Sequence, residues 1–101
     1  MTGAKWIVRV RIGGRVQGVG FRAWTEKEAN ARGIEGWVRN RSNGEVEALF
    51  AGPRDAVEAL CAACWRGPAH AWVESVEIVE ADAATLGGRS VGSGFRQIAT
   101  I

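Results

Sequence analysis

Apolar and polar residues alternate from Trp6 to Ile12: Trp6, Val8, Val10 and Ile12 fall on one side, Arg9 and Arg11 on the other. That period of two predicts a strand with one buried face, which Gly13 and Gly14 are expected to end. From Phe21 to about Arg32 the period lengthens. Phe21, Trp24, Thr25, Ala29 and Ala31 gather on one side, and Glu26, Lys27 and Asn30 on the other, with Gly33 as a fitting stop. Trp37–Asn40 reads as a short strand and Glu45–Ala51 as its return, with Val46, Ala48 and Phe50 inward; Asn43-Gly44 between them is a strong hairpin signal. Gly52-Pro53 breaks that strand, and Pro53 suits the first turn of a helix. Val57, Leu60, Cys61, Cys64 and Trp65 then form one apolar stripe, ended by Gly67-Pro68. Trp72–Glu80 is a further strand with Trp72, Val76 and Ile78 on one face. The span from Ala81 to Gly94, rich in Gly, Ala and Ser, is expected to be a mobile loop. Phe95–Ile101 is expected to be a last strand, whose broken period suggests a bulge.

The resulting order, strand-helix-strand-strand-helix-strand, is that of the α+β ferredoxin-like split βαβ arrangement (βαββαβ), an antiparallel sheet with two helices on one face. With 101 residues and no internal repeat, the chain is expected to form a single domain over residues 1–101. Of its five tryptophans, Trp6, Trp37 and Trp65 are expected in the core.

Composition narrows the function little. At 47% hydrophobic and 24% charged, the chain is an ordinary globular one, and a net charge of +2 does not by itself imply nucleic acid or a membrane surface. No apolar run approaches the ~20 residues of a membrane span, and Met1–Lys5 has no signal-peptide core, so the cytoplasm is the default expectation; a monomer is the default expectation for assembly.

Chemistry concentrates in Gly14-Arg15-Val16-Gln17-Gly18-Val19-Gly20-Phe21-Arg22, between the first strand and the first helix. Gly14, Gly18 and Gly20 permit sharp bends and close approach of a ligand. Such a loop, opening onto a helix N-terminus, gathers main-chain N–H groups suited to an anion. Arg22 adds a planar, permanently charged fork matched to phosphate oxygens. If the strands before and after the first helix lie side by side, Asn40 ends near this loop. Its amide can then orient a water molecule without changing charge.

The stretch Gly14–Arg22, followed by Gly36-Trp37-Val38-Arg39-Asn40-Arg41-Ser42-Asn43-Gly44-Glu45-Val46-Glu47, resembles the acylphosphatases. The resemblance extends from about Val8 to Glu80 and includes Gly67-Pro68 and the strand from Val73 to Glu77. It implies hydrolysis of acyl phosphates to a carboxylate and inorganic phosphate, with no metal and no cofactor. It implies that Arg22 binds the phosphoryl group, that Asn40 positions the water, and that the main-chain N–H groups of Arg15, Val16, Gln17, Gly18, Val19 and Gly20 complete the cradle. The partner is then a small acyl phosphate such as acetyl or carbamoyl phosphate; inorganic phosphate or sulfate would occupy the same site. Ala23 departs from the pattern, a bulky aromatic being frequent there, and the chain after Glu80 matches poorly. A related module opens larger carbamoyl-transfer maturation proteins, but the extent of this chain favours a stand-alone protein.

Other readings are weaker. Gly18-x-Gly20-x-x-Ala23 fits a dinucleotide fingerprint, yet the chain is short for a doubly wound sheet and the second strand ends in Asn40, not an acid. An RNA-binding module shares the element order, but Glu45–Ala51 lacks the aromatic pattern and carries two acids. A regulatory domain that binds an anion without turnover is the third. Cys61-x-x-Cys64 lies on an apolar stripe near a helix C-terminus and reads as core, not as a redox or metal pair. His70 reads as solvated, and Arg9, Arg11, Arg39 and Arg41 as a solvated sheet face with a secondary role in steering anions.

Overall fold

The computed structural model describes residues 5–82 and 94–101. Its elements are β1 (Trp6–Arg15), α1 (Phe21–Ala31), β2 (Glu35–Asn40), β3 (Val46–Gly52), α2 (Arg54–Cys64), β4 (Trp72–Glu80) and β5 (Phe95–Gln97). The expected split βαβ order is present. The five strands form one sheet in the order β4-β1-β3-β2-β5, with β3 at the centre. All neighbours run antiparallel except β2 and β5, which are parallel and pair Gly36 with Phe95 and Val38 with Gln97. The sheet is therefore mixed. β1 and β2 do not lie side by side; they flank β3.

Alternation explains which face is covered. Val8, Val10 and Ile12 of β1 and Val46, Ala48 and Phe50 of β3 are fully buried and pair across the sheet (Val8↔Phe50, Val10↔Ala48, Ile12↔Val46). Both helices pack on this side, α1 through Phe21 and Ala29 and α2 through Val57, Leu60, Cys61 and Cys64. Buried Thr25 returns its hydroxyl to the Phe21 carbonyl at 2.8 Å, which satisfies it inside the helix. Pro53 sits at the N-cap of α2, one residue before its first turn.

The opposite face has no helix and is roofed by ion pairs. Glu47 of β3 is 1% exposed. Its carboxylate accepts from Arg39 Nε at 2.8 Å and from an Arg41 terminal nitrogen at 3.1 Å, and Arg9 lies at 3.9 Å. Arg11 donates to Glu45 at 3.1 Å and approaches Glu77 at 3.8 Å. Glu45 is held below the usual carboxylate range, first by the Asn43 amide and then by Arg11. The four arginines read as a solvated face are thus engaged with acids of the same sheet.

Several expectations are corrected. β1 runs to Arg15, through both glycines, because Gly14 (φ +121°) continues the pairing with β4. The register between them passes from Gly13↔Ser75 to Gly14↔Val73 and skips Glu74. This bulge turns Val73 as well as Val76 toward the core and leaves Trp72 71% exposed. The bulge foreseen near the C-terminus is not needed, since β5 ends at Gln97. Of the tryptophans expected inside, Trp37 is buried on the open face beneath Arg39 and Trp6 is half-buried beneath Arg54, but Trp65 is exposed. The loop foreseen over 81–94 lies outside the described residues except for Ala81, Asp82 and Gly94.

Candidate active site

β1 delivers the chain to residues 16–20, and α1 begins at Phe21. Val16 is buried and Val19 packs against the core, so apolar side chains tether the loop from inside. Gly18 and Gly20 adopt φ of +74° and +85°, conformations that side-chain-bearing residues avoid. A Cβ added at either would meet nothing within 4 Å. These glycines are needed for the bend itself, and open space lies beside them.

Gln17 has a role that its main-chain assignment did not foresee. Its side-chain Nε2 donates to the Arg41 carbonyl at 2.7 Å and to the Glu45 carbonyl at 2.9 Å. The glycine loop is thereby tied to the β2–β3 turn, which starts one residue after Asn40. That turn is itself fixed: Asn43 Oδ1 accepts the Glu45 N–H, and Gly44 takes φ +96°.

Helix α1 starts without a side-chain cap; its N-cap is the left-handed Gly20. The first backbone bond runs from Trp24 N to Gly20 O at 3.0 Å. The N–H groups of Phe21, Arg22 and Ala23 precede it and have no intrahelical acceptor. Among the described residues, none of the N–H groups of residues 16–20 donates to a main-chain carbonyl outside the strands. A small cavity of about 130 Å³ opens at this point, lined by Val16, Gly18, Gly20, Phe21, Arg22, Ala23, Asn40 and Gln97.

The cavity brings together five of the eight residues singled out from the sequence: Val16, Gly18, Gly20, Arg22 and Asn40. Arg15 instead lines a neighbouring hollow with His70, Trp72 and Glu74, while Gln17 and Val19 hold the loop from behind. Asn40 reaches the cavity although β3 separates its strand from β1, because it occupies the helix-facing side at the last position of β2 (Asn40↔Val46). Its carbonyl accepts Ile101 N–H at 3.2 Å, and Ser42 N–H donates to Ile101 O at 2.7 Å, which steadies the strand end. Among the described residues no acid lies within ion-pair distance of Arg22. The residue missed in the sequence is Gln97. Its only signal is a polar side chain on the helix-facing side of β5, opposite Val38.

The two cysteines lie outside this cavity. Both are free and buried. Burial pushes the Cys61 thiol up to about 11 and the Cys64 thiol up to about 12, so both are protonated core groups at neutral pH. Among the described residues no three His, Cys, Asp or Glu side chains are grouped to hold a metal ion, and no helix is long and apolar enough to cross a membrane.

Comparison with known proteins gives a consistent result. The acylphosphatase family model matches residues 8–89. The chain is 52% identical over 90 residues to an acylphosphatase of Azorhizobium caulinodans, with 89% of this chain and 91% of that protein covered. It is 50% identical over 95 residues to an acylphosphatase of Bradyrhizobium diazoefficiens, covering 94% and 96%. Its fold superposes on the solved acylphosphatase of Coxiella burnetii with a TM-score of 0.82 at 34% identity, covering 94% of each chain. With likeness of this degree running nearly end to end, the chain belongs to the acylphosphatase family, and the reaction it catalyses is the hydrolysis of an acyl phosphate to a carboxylate and inorganic phosphate.

Proposed function

We propose that the phosphoryl group binds between Arg22 and the main-chain N–H groups of the glycine loop and the first turn of α1, and that Asn40 holds the attacking water. The observation that carries this reading is a single cavity lined by an uncapped helix start, an arginine that has no acid partner among the described residues, and a neutral amide. Helix N-termini and clustered amides favour anions, and a guanidinium takes two phosphoryl oxygens in parallel.

The chemistry suits so few groups. Water attacks phosphorus, the bond from phosphorus to the acyl oxygen breaks, and the carboxylate leaves with that electron pair. A carboxylate is a weak base, so no general acid is required to protonate it. Charge in the loose transition state spreads over the phosphoryl oxygens, where fixed N–H dipoles and Arg22 oppose it. The Asn40 carboxamide accepts from the water and aims its lone pair; the released proton ends on phosphate or solvent. Arg15, Gln17 and Val19 offer the phosphoryl group only their main-chain N–H, while the Gln17 side chain and Val19 hold the loop in place. Neither metal nor cofactor is part of this scheme. The same reading has the protein acting as a monomer in the cytoplasm on short acyl phosphates, acetyl and carbamoyl phosphate among them.

Hydrolysis of benzoyl phosphate in the presence of chelator, combined with inhibition by inorganic phosphate, tests the division of labour. Arg22→Ala loses both turnover and phosphate affinity. Asn40→Ala keeps phosphate affinity and loses turnover by about 10²–10³, the usual loss for one preorganised polar group. Equal loss of phosphate affinity in the two variants refutes the assignment, and strict metal dependence refutes the mechanism.

A further inference from the structure

We propose that Gln97 is a positioning residue that keeps Arg22 available to phosphate by holding the Glu26 carboxylate away from it. The inference rests on the reading of Arg22 as the phosphate-binding side chain. Arg22 and Glu26 stand four residues apart on α1, the spacing at which opposite charges on a helix meet. Elsewhere this chain closes such pairs: Arg54 with Glu58 at 3.1 Å, in the same order along the helix, and Glu28 with Arg32 in the reverse order. At Arg22 the pair is open. Glu26 Oε1 instead accepts a hydrogen bond from Gln97 Nε2 at 2.9 Å. Gln97 lines the same cavity as Arg22, brought there by the parallel pairing of β5 with β2.

The consequence is electrostatic. A carboxylate on Arg22 would occupy the fork needed for phosphoryl oxygens and place negative charge beside an anionic substrate. An amide at position 97 can hold that carboxylate by donation without adding a charge of its own. The three residues come from two elements distant in sequence, so the arrangement depends on β5 being in place.

The test uses the full chain and five variants: Gln97→Leu, Gln97→Ala, Glu26→Gln, the Gln97→Leu/Glu26→Gln double variant and Arg22→Ala. For each, KM and kcat for benzoyl phosphate are measured together with the inhibition constant for inorganic phosphate. Gln97→Leu is expected to raise KM and the phosphate inhibition constant together by about two- to fivefold, the upper scale of an exposed ion pair, with a smaller change in kcat. Removing the carboxylate as well, in the double variant, is expected to restore both constants to the Glu26→Gln values. Gln97→Ala is the second variant should leucine disturb β5. Wild-type constants in Gln97→Leu and Gln97→Ala overturn the proposal. So does a defect that Glu26→Gln leaves in place, because Gln97 would then act on the substrate directly or only through packing. If Arg22→Ala binds phosphate normally, the underlying reading of Arg22 fails; if it loses phosphate while both Gln97 variants match wild type, only the role of Gln97 fails.

Discussion

Gln17→Leu isolates the brace between the glycine loop and the turn after Asn40. Leucine has nearly the same shape and leaves the main-chain N–H intact, so only the two donated hydrogen bonds, at 2.7 and 2.9 Å, are removed. Neither acceptor is orphaned: the Arg41 carbonyl keeps Gly44 N–H at 3.1 Å and the Glu45 carbonyl keeps Arg41 N–H at 2.8 Å. The cost is therefore the net value of two bonds, about 0.5–1.5 kcal/mol each, or about 1–3 kcal/mol together. For a domain of this size the melting temperature falls about 4–8 °C for each kcal/mol. Activity falls further than stability suggests, because the loop and Asn40 lose their fixed separation; a displacement near 1 Å costs up to about 10²-fold in kcat. Urea unfolding followed by tryptophan fluorescence gives the first quantity and benzoyl phosphate turnover the second. Gln17→Glu serves as a sharper probe: a carboxylate cannot donate, and it would face two carbonyl oxygens. It is expected to be less stable than Gln17→Leu. An unchanged urea midpoint and unchanged kcat in Gln17→Leu, or a Gln17→Glu protein as stable as wild type, would refute the reasoning.

Three further outcomes are expected. Gly36→Ala prevents folding or lowers the urea midpoint severely, since its Cβ would lie 1.9 Å from the Leu49 carbonyl oxygen at φ +134°; a wild-type midpoint contradicts the geometry. Glu47→Leu leaves Arg39 and Arg41, both only partly exposed, without their buried acceptor and costs about 1–3 kcal/mol, read from the same unfolding curves. The thiols give a pH signature. Their folded values are raised, to about 11 and about 12, so the unfolded chain releases these protons first as pH rises. The stability they confer is complete below about pH 8.5 and declines above it. Replacing both cysteines by alanine flattens the alkaline fall in the urea midpoint; an identical slope would show that the thiols contribute nothing to it.

What the sequence made legible was local. Residues 16–22 and the Asn43-Gly44 hairpin could be read because glycine, arginine and asparagine are constrained by their own backbone or charge, and Asn40 fell at a strand end that alternation located. What stayed hidden depends on pairing between distant segments. Gly13 and Gly14 look like a terminus, yet pairing with β4 carries β1 on to Arg15. Trp72 shares a period with Val76, but a register skip at Glu74 reverses its side. Trp65 sits at the end of an apolar stripe, and the helix finishes before covering it. Gln97 acquires meaning only when β5 lies parallel to β2, and nothing within a few residues of it signals that neighbour.

The buried carboxylate of Glu47 has a consequence for the far side of the sheet. Arg39 and Asn40 are adjacent in β2 and project from opposite surfaces, so sliding that strand by a single position would exchange their places. Such a slip would strand an anion in the interior and point a guanidinium into the packed layer. The penalty for misalignment is thus levied beneath the sheet, while its benefit, one carboxamide aimed at one cavity, is collected above it.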